Sequence, residues 1–264
     1  MRFAAALWGV LWLAGVPAAS FAQSLDETIA DAVLHDATFP DVSDDIDADA
    51  AYTIQASVVG RAFGAKIAGY KAGLTSAAAQ QRFGVDQPVL GVLPESARLA
   101  PNVTIAMTPG LKIEVEVGFV VGSGDAPAAM LAAIELPRLA YADMKQVSLV
   151  DIVATNVSAY RFIAGPRIPV APDVRTYPVS LDHDGVRVFD AAAADALGDP
   201  LEAYAWMVEK VHALGYRLDP GMVLITGSLG HVVDAEPGRY VAHYGPLGEL
   251  EFKIGQPIVG STRQ

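Results

Sequence analysis

The sequence predicts an α+β fold, a small helical lobe followed by one compact β-rich body, and three observations carry that prediction. Two apolar stripes at helical spacing occupy the first part of the chain. From Lys66 onward the texture changes to short β-type runs punctuated by Gly and Pro, and Leu111 to Val121 carries an apolar residue at every odd position. With 264 residues, 52% of them hydrophobic and 18% charged, the chain can bury one large core or two small ones, which excludes disorder for most of it. Cysteine is absent, so disulfides, thiolate nucleophiles, zinc fingers and iron–sulfur centres are excluded together. A formal charge of -12, with 18 scattered Lys and Arg, argues against nucleic acid, because phosphate binding needs clustered basic side chains.

Residues 1–22 have Arg2 as their only charge, an apolar run from Phe3 to Val16, then Pro17 and the small-residue sequence Ser20-Phe21-Ala22. That pattern predicts a secretory signal peptide cut after Ala22, and hence a periplasmic or secreted protein with no stable membrane anchor after cleavage. The apolar run is short for a helix that must cross ~30 Å of hydrocarbon. Residues 23–65 form the predicted helical lobe. Ser24 with Glu27 makes a capping box for a helix reaching about Leu34. The acidic stretch Asp41 to Asp49 reads as a solvated loop, and Ala51, Ile54, Val58 and Val59 give a second helix that ends at Gly64. Residues 66–264 form the β-rich body. It holds a brief helical stretch from Thr75 to Phe83, the strand Leu111 to Val121, and a hairpin turning at Asp184-Gly185. A helix opened by Asp199, Pro200 and Glu202 and ended by Gly215 follows, then the run Met222 to Thr226 and strands near Tyr240 and Leu250.

Glu114 and Glu116 stand two residues apart on the predicted strand, so their side chains leave one face with Cα atoms ~6.5–7 Å apart. Two carboxylates at that spacing can close on one Mg²⁺, Mn²⁺ or Ca²⁺ and leave positions for water and substrate. Alternation alone fits the solvent face of an amphipathic edge strand as well. Glu135 lies within the apolar run Ile134-Glu135-Leu136-Pro137, where a carboxylate is expected to be protonated, paired or bound to metal. Arg138 is the neighbouring candidate for an ordinary ion pair.

The stretch Gly69-Tyr70-Lys71-Ala72-Gly73-Leu74-Thr75-Ser76, followed by Gln80, Phe83-Gly84-Val85-Asp86-Gln87-Pro88 and Gly91, resembles the signature of the 2-keto-4-pentenoate hydratases, a branch of the fumarylacetoacetate hydrolase superfamily. Ile113 to Val120 is similar to that family's two-glutamate metal strand. Asp151 to Ser158, Gly198 to Leu201 with Ala205-Trp206, Leu218 to Ser228 and Gly245 to Leu250 follow in the family's order. The resemblance implies a mixed β-roll of the fumarylacetoacetate hydrolase type, holding Mg²⁺ or Mn²⁺ on Glu114, Glu116 and Glu135. It implies Lys71 as the active-site lysine and Thr75, Ser158, Thr226 and Ser228 as substrate contacts. The implied activity is hydration of a small 2-hydroxydienoate or 2-oxo-enoate to a 4-hydroxy-2-oxo acid, as in aromatic-compound catabolism, by a homo-oligomer. The same chelated enolate serves a 2-oxo-acid decarboxylase or a C–C hydrolase, and a periplasmic 2-oxo-acid binding protein would keep the pocket without turnover. The sequence departs from the family where Pro-Asp-aromatic-Gly is usual and Pro88-Val89-Leu90-Gly91 stands instead. Ser228 is not a serine-hydrolase nucleophile by pattern, because Thr226 occupies the glycine position of the G-x-S-x-G elbow.

Overall fold

The computed structural model describes residues 23–42 and 45–256, so the predicted signal peptide at residues 1–22 lies outside the described residues. Among the described residues, helix α1 spans Leu25–Leu34, α2 Ala48–Phe63, α3 Ala77–Phe83, α4 Leu149–Ala154 and α5 Pro200–Ala213. The strands are β1 (Ile67–Gly73), β2 (Val89–Pro94), β3 (Arg98–Leu99), β4 (Thr104–Ile105), β5 (Lys112–Val121), β6 (Pro127–Leu136), β7 (Arg161–Ala164), β8 (Pro178–His183), β9 (Val186–Ala192), β10 (Val223–Ile225), β11 (Val233–Asp234), β12 (Gly238–His243) and β13 (Glu249–Ile254). Among the described residues, no helix is long and apolar enough to cross a membrane.

Local chemistry explains the helix ends. The Ser24 N–H donates to Glu27 Oε2 at 3.1 Å, Asp47 accepts from the Ala50 N–H at 2.8 Å, and Ser76 Oγ accepts from the Ala79 N–H at 3.2 Å. Pro200 opens α5, with Asp199 Oδ1 accepting the Leu201 N–H at 2.8 Å.

Two sheets form the body. The larger runs β2-β1-β10-β5-β6-β7-β3, with β11 also pairing β5, and the smaller runs β4-β13-β12-β8-β9. β5 is therefore a central strand rather than an edge. Its residues Ile113, Val115, Val117 and Phe119 are completely buried in the main core, which also takes in the helices and the second sheet. This corrects the edge-strand alternative, because the opposite face of β5 is covered too. Cross-strand partners place Glu114 opposite Glu135, Glu116 opposite Ala133, and Gly118 opposite both Leu131 and Ile225. That face carries a second, smaller apolar cluster of Ala68, Leu93, Ala97, Val120, Leu131, Ala133, Phe162, Val223 and Ile225. Gly118 lets the cluster close, since a Cβ there would sit 2.7 Å from Leu131 Cδ1. This face of the large sheet is thus apolar toward one end and carries the glutamates toward the other.

Candidate metal centre and its cavity

β5 exchanges neighbours along its length. Its C-terminal half pairs β10 through Val120, Phe119 and Gly118, whereas its N-terminal end pairs β11 through Ile113 and Lys112. Between these pairings the chain leaves the sheet as a loop. The loop stays on β5 through the Thr226 N–H to Val117 O (3.0 Å) and the Leu229 N–H to Val115 O (2.8 Å). Gly227, at φ +104, turns its N–H onto Glu116 Oε2 at 2.6 Å. A side chain at Gly227 would meet Thr75 at 2.4 Å, so glycine permits both the turn and the close approach of Thr75.

Carboxylate oxygens of Glu114, Glu116 and Glu135 all lie within 4.8 Å of one another. Bonds of about 2.0–2.6 Å from each oxygen to a central divalent ion span that separation. Glu116 and Glu135 are completely buried, and Glu116 Oε1 and Glu135 Oε1 have no hydrogen-bond partner among the described residues. Orphaned buried carboxylate oxygens are costly, and hard oxygen donors are what Mg²⁺ and Mn²⁺ take. The residues fit a divalent ion.

Lys71 enters from β1, with Nζ 2.6 Å from Glu135 Oε2 and donating to Val157 O at 3.1 Å. Its stem fits because position 91 on the neighbouring strand is glycine, where a Cβ would lie 2.9 Å from Lys71 Cγ. The Glu135 partner is therefore Lys71 and not Arg138. Arg138 instead donates to Ala32 O (3.0 Å) and Ala37 O (2.9 Å), tying the first helix to the sheet. Burial works against the Lys71 ammonium, but Glu135, Glu114 and Glu116 outweigh it and raise its pKa above the usual lysine value. Burial pushes Glu135 up to about 7 against the pull of Lys71. Burial and the two like charges raise Glu116 well above the usual range, and burial raises Glu114. With all four groups ionised the cluster holds two excess negative charges, which a dication cancels.

A cavity of about 390 Å³ opens onto this cluster. Lys71, Thr75, Glu114, Ser158 and Ser228 line it beside the apolar side chains of Leu74, Phe83, Pro137, Leu139, Ile152 and Val157. Thr226 is not among its walls, and its hydroxyl donates to Val117 O at 2.9 Å. Of the predicted contacts, Thr75, Ser158 and Ser228 reach the cavity, whereas Thr226 fastens the loop to β5. Val89 is buried opposite Gly73, and Asp86 is exposed and outside the cavity walls, so neither supplies an acid there.

Ser158 is carried by the turn Asn156–Ser158, which has no signature in the sequence. All three residues have φ between +52° and +57°, a region that residues with a Cβ rarely enter and that a β-branched valine finds hardest. Asn156 holds the turn by accepting the Val92 N–H at 2.7 Å and donating to Val92 O at 2.8 Å. The turn aims Val157 O at Lys71. Tyr141, without a predicted role, places its hydroxyl 3.1 Å from Ser158 Oγ.

No protein-family model matches the chain. It is 31% identical over 241 residues to a 2-keto-4-pentenoate hydratase of Paraburkholderia xenovorans (strain LB400), an alignment covering 83% of this chain and 87% of the relative. The chain belongs to the 2-keto-4-pentenoate hydratase family. The 4-oxalocrotonate decarboxylase from Pseudomonas putida G7, solved with magnesium and adipate, superposes with a TM-score of 0.80 at 26% identity, covering 87% of this chain and 95% of that one. A putative fumarylacetoacetate hydrolase family protein from Yersinia pestis CO92 shares the fold, with a TM-score of 0.52 at 15% identity over 70% of this chain and 91% of its own. The family's fold is therefore the one the sequence implied, and the three glutamates sit on its central strands.

Proposed function

We propose that the protein is a divalent-metal-dependent hydro-lyase that adds water to a small 2-hydroxydienoate or 2-oxo-enoate, giving a 4-hydroxy-2-oxo acid. The observation that carries this reading is the convergence of Glu114, Glu116 and Glu135 with Lys71 where the cavity meets the sheet. The three glutamates would hold Mg²⁺ or Mn²⁺, which when bound supplies Lewis-acid polarisation of the substrate's carboxylate and 2-oxo oxygens. Lys71 is the cation beside the three glutamates and would serve to hold the substrate carboxylate or to move a proton. Leu74, Phe83, Ile152 and Val157 give the hydrocarbon part of a small acid an apolar wall.

Decarboxylation is the second reading, favoured by Arg82. Its side chain lies at the cavity wall, donates to Met144 O and has no carboxylate partner among the described residues, so it is available to the far carboxylate of a dicarboxylic substrate. The experiment is loss of ultraviolet absorbance from a 2-hydroxydienoate with and without Mg²⁺, followed by the product mass. Gain of one water supports hydration, and loss of carbon dioxide from a dicarboxylate supports decarboxylation. Metal-dependent binding of 2-oxo acids with no turnover across a broad panel would overturn both and leave a binding protein. We further propose export, on the pattern of residues 1–22, with Gln23 as the mature N-terminus. Intact mass of protein secreted by its host tests it, and a retained Met1 in soluble cytoplasmic protein would refute it. Assembly into a homo-oligomer, the arrangement implied by the resemblance, is read by light scattering of the purified protein.

A further inference from the structure

We propose that Ser158 is held as a hydrogen-bond acceptor facing the cavity, by a one-way ladder of hydroxyls through Tyr141 and Thr155, and that it orients an O–H donor of the reacting ligand. Resting on the hydratase reading, that donor is the water that adds and, afterwards, the hydroxyl group it becomes.

The direction of the ladder follows from counting hydrogens. Thr155 Oγ1 lies 2.7 Å from Asp151 O and 3.3 Å from Ile152 O, and a carbonyl only accepts. The single hydroxyl hydrogen of Thr155 is committed there. Tyr141 OH lies 2.5 Å from Thr155 Oγ1, so the phenol is the donor in that contact. Its one hydrogen is then committed as well. Ser158 Oγ, 3.1 Å from Tyr141 OH, can only donate to it. What Ser158 Oγ has left are its lone pairs, on a residue that lines the cavity. Burial raises the Tyr141 pKa, which keeps the phenol protonated and the ladder intact.

The frame around the ladder resists rotation. Tyr141 packs edge-on against Phe39 with ring centroids 5.3 Å apart, and the Phe39 N–H donates to Ala140 O at 2.8 Å. The Ser158 backbone is fixed by the Arg138 N–H donating to Ser158 O at 2.9 Å, next to the Asn156 bonds to Val92. Among the polar groups that line the cavity, two are held in opposite roles. Lys71 can only donate, and Ser158 can only accept. A water between them has its oxygen drawn to the ammonium side and a hydrogen directed to Ser158. Tyr141 and Thr155 are positioning residues, acting through Ser158.

The test uses Thr155→Val, Thr155→Ser, Tyr141→Phe and Ser158→Ala in the full chain with Mg²⁺. Thr155→Val leaves the Tyr141 hydrogen free to turn to Ser158, which reverses the ladder and points the serine hydrogen into the cavity. The expected result is a kcat about tenfold lower with KM within about twofold, most of it recovered in Thr155→Ser, because only the variant with a hydroxyl re-anchors the ladder. Tyr141→Phe should cost a similar factor, and Ser158→Ala/Tyr141→Phe should be no slower than Ser158→Ala, since both act at one oxygen. A second arm needs no turnover. Calorimetry should show the wild type binding a 4-hydroxy-2-oxo acid about three- to tenfold tighter than the same acid lacking the 4-hydroxyl, a preference lost in Thr155→Val and Tyr141→Phe and kept in Thr155→Ser. Equal binding of the two acids by the wild type overturns the proposal, as do multiplying effects of Ser158→Ala and Tyr141→Phe. A hydroxyl preference in a protein that hydrates nothing would sink the hydratase reading and leave the acceptor standing.

Discussion

The carboxylate cluster makes the metal-free protein respond to pH in the sense opposite to an ordinary surface ion pair. Glu135 moves from an unfolded value of 4.5 to about 7 in the fold, because burial outweighs the attraction of Lys71. A group whose folded pKa is raised contributes its full stability below the unfolded value and loses it as pH rises through the folded one. The window is therefore pH 4.5 to about 7. At about 1.4 kcal/mol for each pH unit between those two values, Glu135 alone removes about 3 kcal/mol across the window. Glu114 and Glu116 move in the same direction. Asp26, Asp182 and Glu251, whose values are depressed by hydrogen-bonded partners despite some burial, lose their contributions at more acid pH. Urea unfolding of chelator-treated protein should accordingly show stability falling from about pH 5 to about pH 7, with Glu135→Gln flattening the slope. An ion held on these glutamates would take their ionised forms, so stabilisation by Mg²⁺ should grow over the same interval and restore the loss. Metal-free stability that is level or rising across that interval, together with equal stabilisation by Mg²⁺ at both ends, would refute this account of the cluster.

Three further outcomes follow from the site. Lys71→Met should leave metal affinity within a few-fold by calorimetry while lowering turnover by ~10²–10⁴ if the lysine moves a proton, or raise KM more than it lowers kcat if it holds the substrate carboxylate. Glu116→Gln should weaken metal binding and leave activity partly recoverable at high Mg²⁺ or Mn²⁺, as a titration of rate against metal would read. Gly91→Ala would put a methyl group 2.9 Å from Lys71 Cγ and 3.1 Å from Asn156 O, so a loss of about 1–3 kcal/mol in urea unfolding and displacement of the lysine are expected.

The alternation in β5 and the helix caps were legible because they are local. So was the pairing of Glu114 with Glu116 on one face, which needs only the two-residue period of a strand. Glu135 was visible as an anomaly, a carboxylate in an apolar run, but its partner was not. Arg138 is three residues away in sequence and Lys71 is 64, yet the sheet order puts Lys71 beside Glu135 and sends Arg138 to the carbonyls of Ala32 and Ala37. β6 had no strand signature of its own, because Met130 to Leu136 is buried on both faces and so lost its alternation. The left-handed turn Asn156–Ser158 carries no glycine to announce it.

That turn shows how the site is stabilised as well as where it lies. Three successive residues at positive φ cost about 1–3 kcal/mol each, and the buried carboxylates beside them add to the cost. Both sit toward the glutamate-bearing end of one face of the large sheet, while its other end is filled by the small cluster around Leu131, Phe162 and Ile225. The turn is held by side chains that are themselves fixed, with Asn156 bonded twice to β2 and Tyr141 packed on Phe39. It aims the Val157 carbonyl at Lys71 and sets Ser158 among the cavity walls. The strained turn therefore lies where Lys71 meets the cavity, and the two bonds from Asn156 to β2 hold it there against the cost of its backbone.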